Sequence, residues 1–158
     1  DLALGYFLEF DESLHRNVLF HDPYVCIMSA LHPTIQGSCS TEQLATGPHL
    51  VYRPAVGSHR IMDEKLFQLY SKRGASRREV LTISHGLALG EIMARTDLIA
   101  CIPQSLAAVC ASSGTIQVLA LPVSAAPAEI SQYWHERVHR DPSIVWLRGI
   151  VRRLFGRI

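Results

Sequence analysis

Hydrophobic positions along this chain recur in two rhythms, one every second residue and one every third or fourth, and the alternation divides it into strands and helices. Residues 1–7 carry a nearly continuous apolar run (Leu2, Ala3, Leu4, then Tyr6 and Phe7), the pattern of a buried strand. The acidic stretch Glu9-Phe10-Asp11-Glu12-Ser13 reads as a surface crossing. Strands follow at 14–20 and 24–29, separated by the turn signal His21-Asp22-Pro23. Val18, Phe20, Val25 and Ile27 supply their β-branched and aromatic content. From 32 to 48 the chain is polar and turn-rich, with Thr41-Glu42-Gln43-Leu44 suited to one short helix, and 50–52 form a short strand.

Ser58 is placed to cap a helix over 60–72, on which Met62, Leu66, Leu69 and Tyr70 repeat at helical spacing before Gly74 stops it. A regular alternation then begins: strand 79–83, helix 86–95, strand 98–102, helix 104–111, strand 115–121. Short connections between such elements are the signature of right-handed crossovers in a largely parallel sheet. Residues 122–127 are a small-residue, proline-bounded connector, 129–135 one more strand, and Asp141-Pro142 opens a helix to about Phe155. Ile144, Leu147, Val151, Leu154 and Phe155 form one stripe of that helix, with Arg148 and Arg152 on its solvated side. The pattern contains no internal repeat.

Composition narrows the picture without naming a function. The 158 residues are 48% hydrophobic, enough for a real core, with a mean hydropathy of +0.15. Fifteen basic and fourteen acidic residues leave a net charge of +1, so no basic field argues for nucleic-acid binding by this piece of chain. The apolar runs are too short to cross a bilayer. The chain opens at Asp1, without a leader and inside a strand pattern, and reads as a piece of something longer. Cys26, Cys39, Cys101 and Cys110 show no C-x-x-C spacing; Cys26, Cys101 and Cys110 lie in apolar runs and read as small buried hydrophobes of a reducing compartment.

The sharpest motif is His135-Glu136-Arg137-Val138-His139, a literal H-E-x-x-H. Zinc hydrolases use it because a helix puts both imidazoles on one face, with the Glu able to activate water. Here it continues a strand, Asp141-Pro142 cuts off any helix, and no later Glu or His supplies a third ligand, so the reading is a strand end with no metal. The remaining histidines read as surface or hydrogen-bonded imidazoles. His59 and His85 stand apart, because each lies where the chain feeds into a helix, the position at which open α/β sheets bind ligands. Ser84 and Ser105 stand at equivalent strand-to-helix junctions, where their plain role is N-capping. No nucleophile elbow, phosphate loop or dinucleotide fingerprint is present, so neither a catalytic residue nor a cofactor is expected. The six arginines after residue 136 read as the solvated face of a terminal helix rather than a membrane or DNA surface.

Several segments, taken in order, resemble LysR-type transcriptional regulators. Asp1-Leu2-Ala3-Leu4-Gly5 is similar to the family's D-L-A-x-G strand. Asp22-Pro23-Tyr24-Val25-Cys26-Ile27-Met28, leading to His32-Pro33, resembles its next block, and Asp97-Leu98-Ile99-Ala100-Cys101-Ile102-Pro103 its D-L-I-A-x-x-P segment. Trp134-His135, His139, Asp141-Pro142 and Trp146-Leu147-Arg148 match the ending typical of regulators of aromatic-compound degradation and nodulation.

The resemblance implies an α/β fold of the type 2 periplasmic-binding-protein kind, with one complete Rossmann-like subdomain and part of a second. Residues 1–10 would be the final strand of subdomain I and the first crossing, 11–122 subdomain II, and 123–158 the second crossing and the last strand and helix of subdomain I. It implies a non-enzymatic, cytoplasmic sensor whose small organic, aromatic effector sits in the crevice between subdomains. His59 matches an effector-contacting position and His85 faces the same mouth, while Tyr6 and Phe7 would form an aromatic wall. Ser105 stands where some relatives carry an Arg suited to a carboxylate, which turns the expectation away from a strongly anionic effector. Self-association as a dimer or tetramer is expected, with DNA bound only through a helix-turn-helix outside this chain. The rival readings are a solute-binding protein of the same architecture and a zinc hydrolase built on His135, Glu136 and His139.

Overall fold

The computed structural model describes residues 1–7, 11–54, 63, 66, 68, 70, 71 and 77–156. Its strands are β1 (Leu2–Gly5), β2 (Leu14–Asp22), β3 (Tyr24–Ser29), β4 (Pro48–Tyr52), β5 (Arg78–Ile83), β6 (Ala100–Pro103), β7 (Ile116–Ala120) and β8 (Ala128–His135). Four helices are described over their whole length: α1 (Thr41–Thr46), α2 (Leu89–Ala94), α3 (Gln104–Ala111) and α4 (Pro142–Phe155). Residues 63, 66, 68, 70 and 71 are also helical, as the spacing of Leu66 and Tyr70 predicts; both side chains are buried. The chain forms two compact units, one of residues 1–22 and 127–158, the other of residues 23–126.

The first unit is an antiparallel sheet in the order β1-β8-β2, with α4 in contact with β2. β2 and β8 pair from Leu14↔His135 to Asp22↔Ala128, with a register irregularity between Val18 and Phe20. This ladder draws β2 out of subdomain II, where the sequence reading put it, and the boundary between units falls after Asp22 instead of at residue 10. The apolar run at the start also departs from expectation. Among the described residues β1 pairs with β8 alone, as an edge strand, and Leu4 is 48% exposed rather than buried.

In the second unit β3 is the central strand, antiparallel to both β6 and β7. β4 and β5 run parallel, and His49 bridges in parallel to Ile99, with Leu50 N–H donating to Ile99 O at 3.0 Å and Ile99 N–H to Pro48 O at 2.9 Å. Hence β4, β5, β6 and β7 share one direction and β3 alone opposes them. The predicted parallel sheet is mixed, because β6 and β7 flank β3 instead of each other. Tyr24-Val25-Cys26-Ile27-Met28 has no polar alternation because this strand is covered on both faces; Cys26, Ile27 and Met28 are completely buried. Leu44, Leu50, Leu89, Met93 and Ile99 complete that core.

The caps divide between legible and hidden. Asp141 accepts from the backbone N–H groups of Ser143 and Ile144, and Pro142 occupies the first turn, as the sequence indicates. Ser40, the residue just before the Thr41-Glu42-Gln43-Leu44 stretch read as a short helix, forms a capping box with Gln43 at the start of α1. Ser84 and Ser105 are not caps: a short 3-10 turn, Gly86–Ala88, starts after His85, and α3 starts straight after Pro103, so Ser105 is already inside the helix.

Candidate ligand-binding site

The parallel direction of β4, β5 and β6 brings their carboxyl ends, Tyr52, Ile83 and Pro103, to one edge of the second unit. Each strand feeds a loop or helix there, the place where open α/β sheets expose backbone N–H groups and bind ligands. His85 and Ser105 are both exposed at this edge. Their neighbours are in contact range: a Cβ placed on Gly86 would stand 3.2 Å from Leu106 Cδ1 and 3.8 Å from Tyr52 Oη. The close approach at Gly86 is what lets the 84–86 loop, the first turn of α3 and the end of β4 meet.

Sequence reasoning named His85 and Ser105 for this edge and did not name Tyr52, because a single Tyr ending a short strand carries no motif. The adjacent Arg53 offers no uncommitted cation. Its guanidinium spans Glu79 Oε1 and Oε2 at 3.0 and 3.2 Å and reaches Asp63 at 3.4 Å, and these carboxylates raise its pKa against the opposing effect of burial. A groove of about 460 Å³ leaves this corner between α2 and α3, walled by Gly86, Leu87, Leu106, Val109 and Cys110. Gly90 admits the two helices to each other; a Cβ there would be 3.4 Å from Cys110 Cα. A second groove, about 470 Å³, lies at the opposite end of the sheet, where Ser29, Leu31, Pro33 and Asp97 line the amino ends of the parallel strands.

His59 lies outside the described residues. Tyr6 and Phe7 are half-buried in the first unit, where Phe7 packs edge-on against Tyr133 with ring centroids 5.1 Å apart.

The H-E-x-x-H residues separate, as a strand end and turn require. His135 ends β8 and accepts the Arg137 N–H on Nδ1, while Glu136–Val138 is one 3-10 turn. Folding brings His15 of β2 to Glu136 and His139 instead, with ligand-type atoms of all three within 4.8 Å. His15 hydrogen-bonds Glu136, which holds that carboxyl below its usual pKa. Yet the Trp134 indole donates to His139 Nδ1 at 3.1 Å. A neutral ring that accepts there carries its proton on Nε2 and has no lone pair left for a cation. The arrangement is a stacked aromatic cluster: His15 lies 5.5 Å from Trp134 at 16°, and the Arg148 guanidinium covers Trp134 at 4.1 Å.

The fold agrees with what known proteins show. Residues 1–156 match the LysR substrate binding domain, and the chain belongs to that family. It is 31% identical over 156 residues to the HTH-type transcriptional activator NagR of Ralstonia sp. and 30% identical over 156 residues to NahR of Pseudomonas putida. Those alignments cover 99% and 98% of this chain and 50% of each relative, so the chain spans about half the length of the curated relatives it matches. Its structure superposes on a putative transcriptional regulator from Vibrio parahaemolyticus with a TM-score of 0.84 at 26% identity, over 99% of this chain and 72% of that one. The regulatory domain of MexT, a transcriptional activator in Pseudomonas aeruginosa, gives 0.80 at 22% identity, over 98% and 73%. The effector binding domain of QuiR, solved in complex with shikimate, gives 0.74 at 14% identity, over 98% and 71%, and shows the fold alone. The fold is therefore the type 2 periplasmic-binding-protein-like α/β fold of LysR effector domains.

Proposed function

We propose that this chain is the effector-sensing part of a LysR-type transcriptional regulator and takes up a small aromatic molecule at the carboxyl ends of β4, β5 and β6. The observation that carries the reading is the convergence of Tyr52, the His85-Gly86 loop and the first turn of α3 at one strand edge of the second unit. Tyr52 offers a ring and a hydroxyl, while His85, Ser105 and, by the family resemblance, His59 offer hydrogen-bonding groups. With Arg53 engaged by Glu79 and Asp63, this edge favours a neutral or weakly polar ligand over a strongly anionic one.

The mechanism is a population shift: the effector binds one arrangement of the regulator more tightly and so changes the geometry presented to DNA. Catalysis has no part in it. DNA contact belongs to a helix-turn-helix outside this chain, the regulator self-associates, and it works in the cytoplasm. Among the described residues no helix is long and apolar enough to cross a membrane.

The test is calorimetry of the chain and of the full-length regulator with paired aromatic alcohols, amides and acids. The neutral compounds should bind preferentially. His85→Ala should weaken them tenfold or more, and Ser105→Arg should move the preference toward the acids. Binding that both substitutions leave unchanged would overturn the site, and a panel without any binder would overturn the ligand class.

A further inference from the structure

The groove between α2 and α3 shares residues with the ligand edge. Gly86 and Leu106 line it, and the same two approach Tyr52: a Cβ on Gly86 would stand 3.2 Å from Leu106 Cδ1 and 3.8 Å from Tyr52 Oη. The absent side chain at Gly86 therefore leaves open the passage from the Tyr52 hydroxyl into the groove. Four residues further along each element, a Cβ on Gly90 would meet Cys110 Cα at 3.4 Å. The 86–90 segment and α3 thus run side by side, and one such step is about 6 Å of helix. The groove follows them away from the strand ends.

Its chemistry is apolar. Leu87 is fully exposed and Val109 is 70% exposed, so two large hydrophobic side chains border the trough without cover among the described residues. Cys110 adds a thiol that burial pushes up, which leaves it a small apolar wall. The one charged side chain of the lining is Glu91, and Arg95 donates to it at 2.6 Å. The hydroxyl of Ser112 is given to Val109 O at 2.7 Å. A volume of about 460 Å³ is in the range of small-molecule sites, and with no cation in its walls it favours hydrocarbon over an anionic group.

We propose that this groove takes an unbranched alkyl substituent of the effector, so that the ligand is an alkyl-substituted neutral aromatic compound with its ring at Tyr52 and its chain between α2 and α3. The inference rests on the ligand site proposed above and names the class of compound that fills it. Complete burial of a methylene raises affinity about fourfold, and a groove open on one side should return about twofold for each.

The experiment is calorimetry of the full-length regulator and of this chain with para-alkyl phenols bearing methyl, butyl and hexyl chains. Affinity should rise about twofold with each methylene. Leu87→Asp combined with Val109→Asp, both at exposed positions, should remove the rise and leave the affinity for the methyl compound unchanged. A methyl compound that binds while longer chains gain nothing would overturn the groove and leave the site at Tyr52 and His85 standing. A length gain that survives the double substitution would put the chain elsewhere and overturn the groove as well. If no member of the series binds, the site and this inference fall together. Self-association that the double substitution abolishes, without any length gain, would assign the groove to a second copy of the chain instead. The series on the unsubstituted protein reads the length gain without any variant having to fold.

Discussion

His49 shows how one buried side chain can make the stability of a domain depend on pH. It is fully buried, and its Nε2 lies 2.8 Å from Leu44 O and 2.7 Å from Tyr70 Oη, while Tyr70 Oη stands 3.0 Å from the same carbonyl. With Nε2–H given to Leu44, Nδ1 remains a bare lone pair with no partner. Protonation would bury an unsatisfied N–H and a charge, so desolvation lowers the pKa from 6.5 to about 4. Between those values the unfolded chain binds the extra proton. The stabilisation is complete above pH 6.5 and is lost as pH falls toward 4, a change on the order of 3 kcal/mol for a fully buried ring. Urea denaturation at pH 7.5 and 4.5 should show a smaller loss in His49→Gln, which keeps a donor but does not titrate. Equal losses in the two proteins would refute the assignment. The sequence marked His49 only as one of several scattered imidazoles, because nothing local says that Leu44 and Tyr70 will converge on it.

At the scale of elements, α4 shows both what a periodic pattern reveals and what it hides. Its start at Asp141-Pro142 and its extent to Phe155 follow from capping chemistry and apolar spacing. Its faces do not. Val151 is buried as the stripe requires, but Leu147, Leu154 and Phe155 are exposed. Arg148, read as solvated, lies over Trp134 and donates from Nη2 to His139 O at 3.0 Å. A hydrophobicity scale counts guanidinium as polar and does not register its flat, weakly hydrated face, which stacks on indole. Arg148→Ala should lower the unfolding free energy by about 1 kcal/mol and shift the emission of the largely buried Trp134. Arg148→Lys should recover only part of both, since an ammonium cannot stack and bond at once. A variant as stable as the parent, with unchanged emission, would leave the contact without energetic weight.

Exposed large apolar residues occur in both units, and α4 carries several of them. Val145 (46% exposed), Trp146 (66%), Leu154 (66%) and Phe155 (40%) all lie on α4. Large apolar side chains exposed together on one helix favour cover by another surface. Light scattering across a concentration series should show reversible association, and Trp146→Glu with Leu154→Glu should move the population to monomer. A monodisperse monomer at every concentration would argue against α4 as the associating face.

The sequence by itself determined the order of elements, the mixed α/β class, the strand end at His135 and the family, because these depend on local periodicity, turn and cap chemistry and ordered motifs. Folding decided what depends on residues far apart in the chain. It set β3 antiparallel between β6 and β7, and it placed β2 against β8 and so in the first unit. It turned the apolar start of the chain into an exposed edge, set Cys26 opposite Cys101 without any sequence spacing, and joined Tyr52 to the His85 loop. The division is physical: local rules act over a few bonds of chain, whereas strand partners and side-chain neighbours are selected by burial, which takes no account of sequence distance.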